Sequence, residues 1–220
     1  DTLMSMNNIA AGYREAGDLG QAITLYEQAL EGLTKKLGPD HPNVLLLMAN
    51  VLAAYAIAGE SAKYDQLFPL ALEKWRKLYP SNGVQIAGVL ARSGQCCLEM
   101  KRPSEAEVLL RESLSIAQAI RPDNWSTFHT QSMLGGSLLG MHGGSNDATA
   151  KAKLLEEAEP LLVAGYEGLK QREASIPVAD AKRIAEALER VIEFYTLVEK
   201  AIEVEKYRAL RSAGPSGSER

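Results

Sequence analysis

Asn7-Asn8-Ile9-Ala10-Ala11-Gly12-Tyr13, followed by Gly17, Ala22, Tyr26, Ala29 and Leu30, is the stretch on which the fold turns. It returns 42 residues later, with Asn50 for Asn8, Tyr55 for Tyr13, Gly59 for Gly17, Leu67 for Leu25 and Ala71-Leu72 for Ala29-Leu30. A third copy stands 84 residues on, with Ala106 for Ala22, Leu109 for Leu25 and Leu114 for Leu30. A fixed period of this size means stacked supersecondary units, each too small to bury its own apolar face.

Within one period, Ile9 and Tyr13 are four apart and share a helical face, as do Leu25 with Ala29 and Tyr26 with Leu30. Small residues at Ala10, Ala22 and Ala29 let two helices approach closely. Gly17 falls between the two periodic segments, where a helix end needs a left-handed residue. Each unit therefore reads as two antiparallel helices joined by a tight turn.

On these residues the unit resembles a tetratricopeptide repeat (TPR) of the long, kinesin-light-chain-like kind. The linker Leu37-Gly38-Pro39-Asp40-His41-Pro42 together with "NNIAAGY" carries the resemblance. The later "TFHTQSMLGGSLLG" and "EAEPLLVAGYEGLKQRE" resemble the last repeats that follow the kinase domain in some bacterial serine/threonine protein kinases. The resemblance implies an all-α, right-handed α-α superhelix, a TPR solenoid of antiparallel helix pairs. Expected boundaries are repeats at about 1–42, 43–80, 81–125 and 126–176, a capping helix pair at 177–212 and a disordered tail at 213–220.

The composition fits: 46% hydrophobic, 24% charged and a formal net charge of −4 with both signs interspersed, which gives no footprint for nucleic acid. No apolar run is long enough to span a membrane and no signal peptide is recognisable, so the expected location is cytoplasmic. The chain opens on Asp1 where a linker should end, and is expected to be a fragment with more protein upstream.

In chain order, the first helix is expected over about 2–16 and the second over 19–36, capped by Asp18 and stopped by Gly38 and Pro39. Asp1, Asn43 and Ser126 share one repeat phase and are the expected N-caps of first helices, with Ser81 or Asn82 in the third repeat. Pro69 predicts a helix starting near Lys63 and bent at the proline, with Trp75 as packing. Adjacent Cys96 and Cys97 lack zinc-ligand spacing and read as small buried apolar groups. Gly143-Gly144-Ser145 lies in a connection 11 residues longer than its counterpart in repeat 1. It lacks phosphate-loop spacing and reads as a surface insertion, with Asn146 or Asp147 capping the next helix. In the last pair, about 178–197 and 200–211, Leu188, Ile192 and Tyr195 form the apolar stripe, while Glu186, Glu189, Arg190 and Glu193 face water.

The family resemblance further implies that the first helices line a concave face that binds a protein or peptide. Aligning Ala10 with the family's small residue at motif position eight puts Asn8, Asn50, Arg92 and Met133 at position six. The candidate peptide-binding residues are Asn7, Asn8, Arg14, Asn50, Arg92, Gln95 and His129. An Asn amide donates and accepts toward a peptide backbone, and an Arg holds a carboxylate in bidentate fashion. The family's five-residue carboxylate clamp is matched only at Asn50 and Arg92, the other three positions falling on Asn7, Ala11 and Gly88. No spacing joins His41, His129 or His142 to a nucleophile, so no catalytic residue, metal or cofactor is expected, and any kinase domain would lie upstream. The alternative function is self-association as a homodimer, through an exposed patch around Trp125, Phe128 and Met133.

Overall fold

The computed structural model describes residues 2–212, which form ten α-helices and no strand. Expectations for Asp1 and for 213–220 fall outside the described residues. Helices pair as α1 (Thr2–Glu15) with α2 (Leu19–Leu37), α3 (Pro42–Ala58) with α4 (Ser61–Leu78), and α7 (Trp125–Gly144) with α8 (Ala148–Gln171). A final pair is α9 (Lys182–Leu197) with α10 (Ala201–Ser212); α5 (Val84–Glu99) and α6 (Pro103–Ile120) supply the third repeat. The chain divides into two compact units, residues 1–102 and residues 103–220, with the boundary at the turn between α5 and α6.

The tight turn is the most repetitive piece of backbone. Gly17, Gly59 and Lys101, spaced by 42, all have positive φ (84°, 73° and 59°), and Glu199 in the last pair does the same at 56°. At each, the next residue donates its N–H five residues back: Asp18 to Tyr13, Glu60 to Tyr55, Arg102 to Cys97 and Lys200 to Tyr195, at 2.8–3.0 Å. This is the Schellman closure, which satisfies carbonyls that the helix end leaves free. Repeats 1 and 2 make it with glycine, whereas Lys101 and Glu199 hold a left-handed backbone that costs a side-chain-bearing residue about 1 kcal/mol.

Two expected caps are as read: Asp18 accepts from Gln21 N–H and Asp147 from Thr149 N–H. Three others move. His41, not Asn43, caps α3: Pro42 takes the first helical position, and the His41 ring accepts from Asn43 N–H. Asn124, not Ser126, caps α7 by accepting from Ser126 N–H. Gly83, without a side-chain bond, precedes α5 where Ser81 or Asn82 was expected. At α3 and α7 the helix starts where a proline or an Asx turn allows, not at a constant repeat phase.

Helix α4 begins at Ser61, earlier than expected, and continues through Pro69. Residues 143–147 are not a loop insertion. Gly143 and Gly144 end a lengthened α7, α8 runs for 24 residues, and only Ser145–Asp147 lie between them. The extra length is mostly absorbed as helix. The last helical pair starts at Lys182, after two short 3-10 turns at Glu173–Ser175 and Val178–Asp180.

Small residues set the helix spacing. In unit 1, Ala10, Ala22, Ala29 and Ala71 are wholly buried beside Tyr26, Val51 and Tyr64. Trp75 is buried as expected, and its indole N–H donates to the Leu45 carbonyl. In unit 2 the core runs from Leu138, Ala158 and Leu162 through Tyr166 to Val191, Phe194, Tyr195 and Tyr207. Consecutive second helices are laced by ion pairs: Lys63 to Glu27 in unit 1, Glu157 to Arg111 and Lys200 to Glu159 in unit 2. These are solvated pairs worth little each, so the core carries the stability.

Candidate ligand-binding site

Helices α1, α3 and α5 stand side by side in unit 1, each the first helix of its repeat. Their sixth and fifth motif positions meet in one chain of hydrogen bonds. The Arg92 guanidinium donates to Asn50 Oδ1 at 2.9 Å. The Asn50 amide donates to Asn7 Oδ1 at 2.9 Å, and the Asn7 amide to Asn8 Oδ1 at 3.2 Å. The period of 42 would pair Asn8 with Asn50, yet it is Asn7, one residue earlier, that lies under Asn50. Between repeats 1 and 2 the sixth position thus bonds the fifth position of the preceding repeat, whereas Arg92 bonds Asn50 position for position, 42 residues apart.

Burial along this chain is graded. Asn7 is at the edge of burial, Asn50 and Arg92 are half-buried, and Asn8 is exposed at the end. Arg14 is half-buried, and its charge and that of Arg92 act on the buried hydroxyl of Tyr26. Burial raises that hydroxyl's pKa, and the two arginines oppose the rise. Gln95 is half-buried one turn beyond Arg92, and no hydrogen bond among the described residues joins it to the chain.

Beside Arg92 a cleft of about 300 Å³ opens between α3, α4 and α5. Leu46, Leu52, Val89, Trp75 and Tyr79 give it apolar walls, with Gln85 and Arg92 as polar groups. A Cβ at Gly88 would meet nothing within 4 Å, so the missing side chain leaves room along the α5 wall. Cys96 lines the same cleft and Cys97 lies behind it, both buried. Burial pushes the Cys96 thiol up to about 12 against the pull of Arg92, which makes it an inert apolar group at neutral pH.

His129 does not join this side. It sits in unit 2, buried against Trp125. Burial, with the charges of Arg183 and Arg190, drives its pKa down to about 3, and its Nδ1 has no hydrogen-bond partner among the described residues. Arg190, read from sequence as facing water, instead donates to Ser132 Oγ at 3.2 Å and packs over Gly136. Numbering the last pair from its left-handed Glu199 shows why. Arg190 then occupies the sixth position and Ser132 the fifth position of the preceding repeat, the same relation as Asn50 to Asn7. The signal was in the sequence, hidden because the last turn has glutamate where repeats 1 and 2 have glycine.

The patch Trp125, Phe128, Met133 is not an exposed surface. Met133 is 1% exposed, and Phe128 is pressed between Gly168 and the Arg172 guanidinium, 4.2 Å from its ring centroid.

Comparisons with known proteins agree with the repeat. A tetratricopeptide-repeat family model matches residues 1–63. The chain is similar in structure to the nearly identical TPR-like repeats of a putative kinesin light chain from Podosopora anserina, with TM-score 0.72 at 17% identity over 98% of both chains. A point-substituted form of those repeats matches with the same score and identity over 96% of this chain and 93% of that one. BtubC (BKLC) from P. vanneervenii matches with TM-score 0.68 at 15% identity, over 98% of this chain and 82% of that one. No curated protein matches in sequence. At these identities the likeness concerns the fold alone: an all-α array of TPR-like helix pairs.

Proposed function

We propose that unit 1 binds an extended peptide or protein segment along the side formed by α1, α3 and α5. The observation that carries this reading is the line from Asn8 through Asn7 and Asn50 to Arg92, running up to an apolar cleft. Amides held by one another are preorganised, so a ligand's backbone meets them without their having to be ordered first. The cleft accepts one apolar side chain of the ligand, and the charge of Arg92 favours a carboxylate next to it. Gln95 and Arg14 extend the same side at its two ends.

In the same reading the array is a docking or regulatory region of a bacterial serine/threonine protein kinase, acting in the cytoplasm and carrying no catalytic residue itself. The support for that part is the resemblance of the later stretches "TFHTQSMLGGSLLG" and "EAEPLLVAGYEGLKQRE" to the last repeats of such kinases. In the patch that would serve self-association, Met133 is buried and Trp125 and Phe128 are half-buried.

The test is a random-peptide display selection on this chain. Enriched peptides should carry an apolar residue beside Asp or Glu, and Arg92→Met should weaken them by about tenfold or more, the worth of one charged contact. Val89→Glu, which puts a carboxylate into the cleft wall, should do the same. Enriched peptides that bind both variants as well as the parent would remove the site from this side.

A further inference from the structure

Thr2, Ser5, Ile9, Gly12 and Tyr13 form one exposed face of α1. Forty-two residues on, Val44, Leu47, Val51, Ala54 and Tyr55 form the same face of α3, and all five are buried. Ile9 is 54% exposed and Tyr13 40%, against 0% for Val51 and 7% for Tyr55. The difference is what lies on top. On α3 the preceding helix pair packs there, and the Tyr55 hydroxyl donates to Glu27 Oε1 at 2.8 Å. Lys63 closes the arrangement, pairing with Glu27 and standing 5.5 Å over the Tyr55 ring.

Unit 2 repeats this device without help from unit 1. Tyr195, at the same motif position of α9, is buried, and the Glu159 carboxylate of α8 acts on its hydroxyl. Lys200 pairs with Glu159 and stands 5.5 Å over the Tyr195 ring. A tyrosine at this position is thus twice seen docked under a preceding second helix that carries a glutamate.

We infer that the Ile9–Tyr13 face of α1 is a docking face for a helix pair of this same repeat kind, whose second helix sets a carboxylate against the Tyr13 hydroxyl. This goes beyond the peptide-binding reading, uses a different face of the helix and does not depend on it. Continuity with the α2–α3 and α8–α9 packing identifies the occupant. Thr2, Ser5 and Gly12 stand where α3 has Val44, Leu47 and Ala54, so the face buries less apolar surface than the internal ones. Ile9 and Tyr13 are its two anchors.

The test extends the full chain with a copy of residues 1–42 placed in register before residue 1. The copy carries Tyr13→Phe, so that only the original Tyr13 reports. Nitration of Tyr13 by tetranitromethane, read by peptide mapping, is compared with that of the unextended chain. Tyr13 should react severalfold more slowly in the extended chain, and changing the copied Glu27 to Ala should return part of that protection. Equal reactivity with and without the added pair overturns the inference, as does protection indifferent to the glutamate. An added pair that stays unfolded by circular dichroism overturns it too, since a face made to hold this repeat would fold it. Protection that grows with concentration in the unextended chain would make a second copy the occupant and overturn the one named here.

Discussion

In unit 1 the fifth and sixth motif positions hold Asn7, Asn50 and Arg92, which meet as a half-buried polar line next to a cleft. In unit 2 the same positions hold Ser132, Met133 and Arg190, and there the surface is shut. Ser132 and Met133 are buried, and Arg190 lies across Gly136. Side-chain volume makes the difference. Gly165 stands where repeat 1 has Ala29, and a Cβ there would come within 2.7 Å of the Ser132 backbone nitrogen. Without that Cβ, α8 closes on α7 and the facing positions have no room for an amide. One repeat register therefore yields an open, polar side or a sealed one, according to whether a helix contact is built on alanine or on glycine.

The largest expected effect breaks the sealed side. Gly165→Val forces a branched side chain against the α7 backbone, and should cost about 3 kcal/mol in urea unfolding. Hydrogen exchange should accelerate in α7 and α8 and stay unchanged in α1–α3. A variant as stable as the parent would mean that glycine does not set the α7–α8 spacing.

Acid should separate the units next. His129 is buried against Trp125, with Arg183 and Arg190 as its charged neighbours. Its pKa of about 3 in the fold lies below the ordinary 6.5. The neutral ring is what the fold holds, so this contribution is complete above pH 6.5. It is lost as pH falls below 6.5, because the unfolded chain takes up the proton first. At pH 5 the loss is about 2 kcal/mol relative to pH 7.5. His129→Gln should remove that part of the pH dependence while leaving the slope due to carboxylates. An unchanged slope would put His129 in contact with water.

Asn50→Ala cuts the polar line of unit 1 at its centre. It leaves the Asn7 carbonyl oxygen and one Arg92 donor without the partner each has now, at a cost of about 1–2 kcal/mol for half-buried groups. The cost should be shared non-additively with Asn7→Ala in a double-mutant cycle, since the two side chains are one contact. Additive losses would show that the bond seen between them is not held in solution.

How much of this could be read beforehand depended on how strongly each residue type constrains the backbone. Gly17 and Gly59 announce the tight turn because glycine is the residue that takes positive φ freely. Lys101 and Glu199 make the same turn and announce nothing, so the last pair could not be put in register, and Arg190 was misplaced with it. Asn7 was read as a neighbour of the line rather than its link, because a linear period carries no information about the offset between stacked helices. His129 met the motif alignment but not the packing: it is buried, with Arg183 and Arg190 of α9 as charged neighbours, and the register of α9 was the part hidden. Asn8, Asn50 and Arg92 were found together because the repeat was intact there.

The smallest expected effect sharpens the comparison from the open side. Gly12 lies inside α1, and a Cβ there would meet nothing within 4 Å. Gly12→Ala should stabilise the chain by about 0.5–1 kcal/mol, because alanine loses less backbone entropy on entering a helix. Its counterpart on α3 is Ala54, wholly buried under the preceding pair. An alanine methyl thus fits beneath a docked repeat as well as in open water. Gly12→Ala should therefore raise the unfolding midpoint and leave the protection of Tyr13 by an added repeat intact. Loss of that protection would mean that docking on α1 needs a closer approach than α2 makes on α3, and would set the two faces apart.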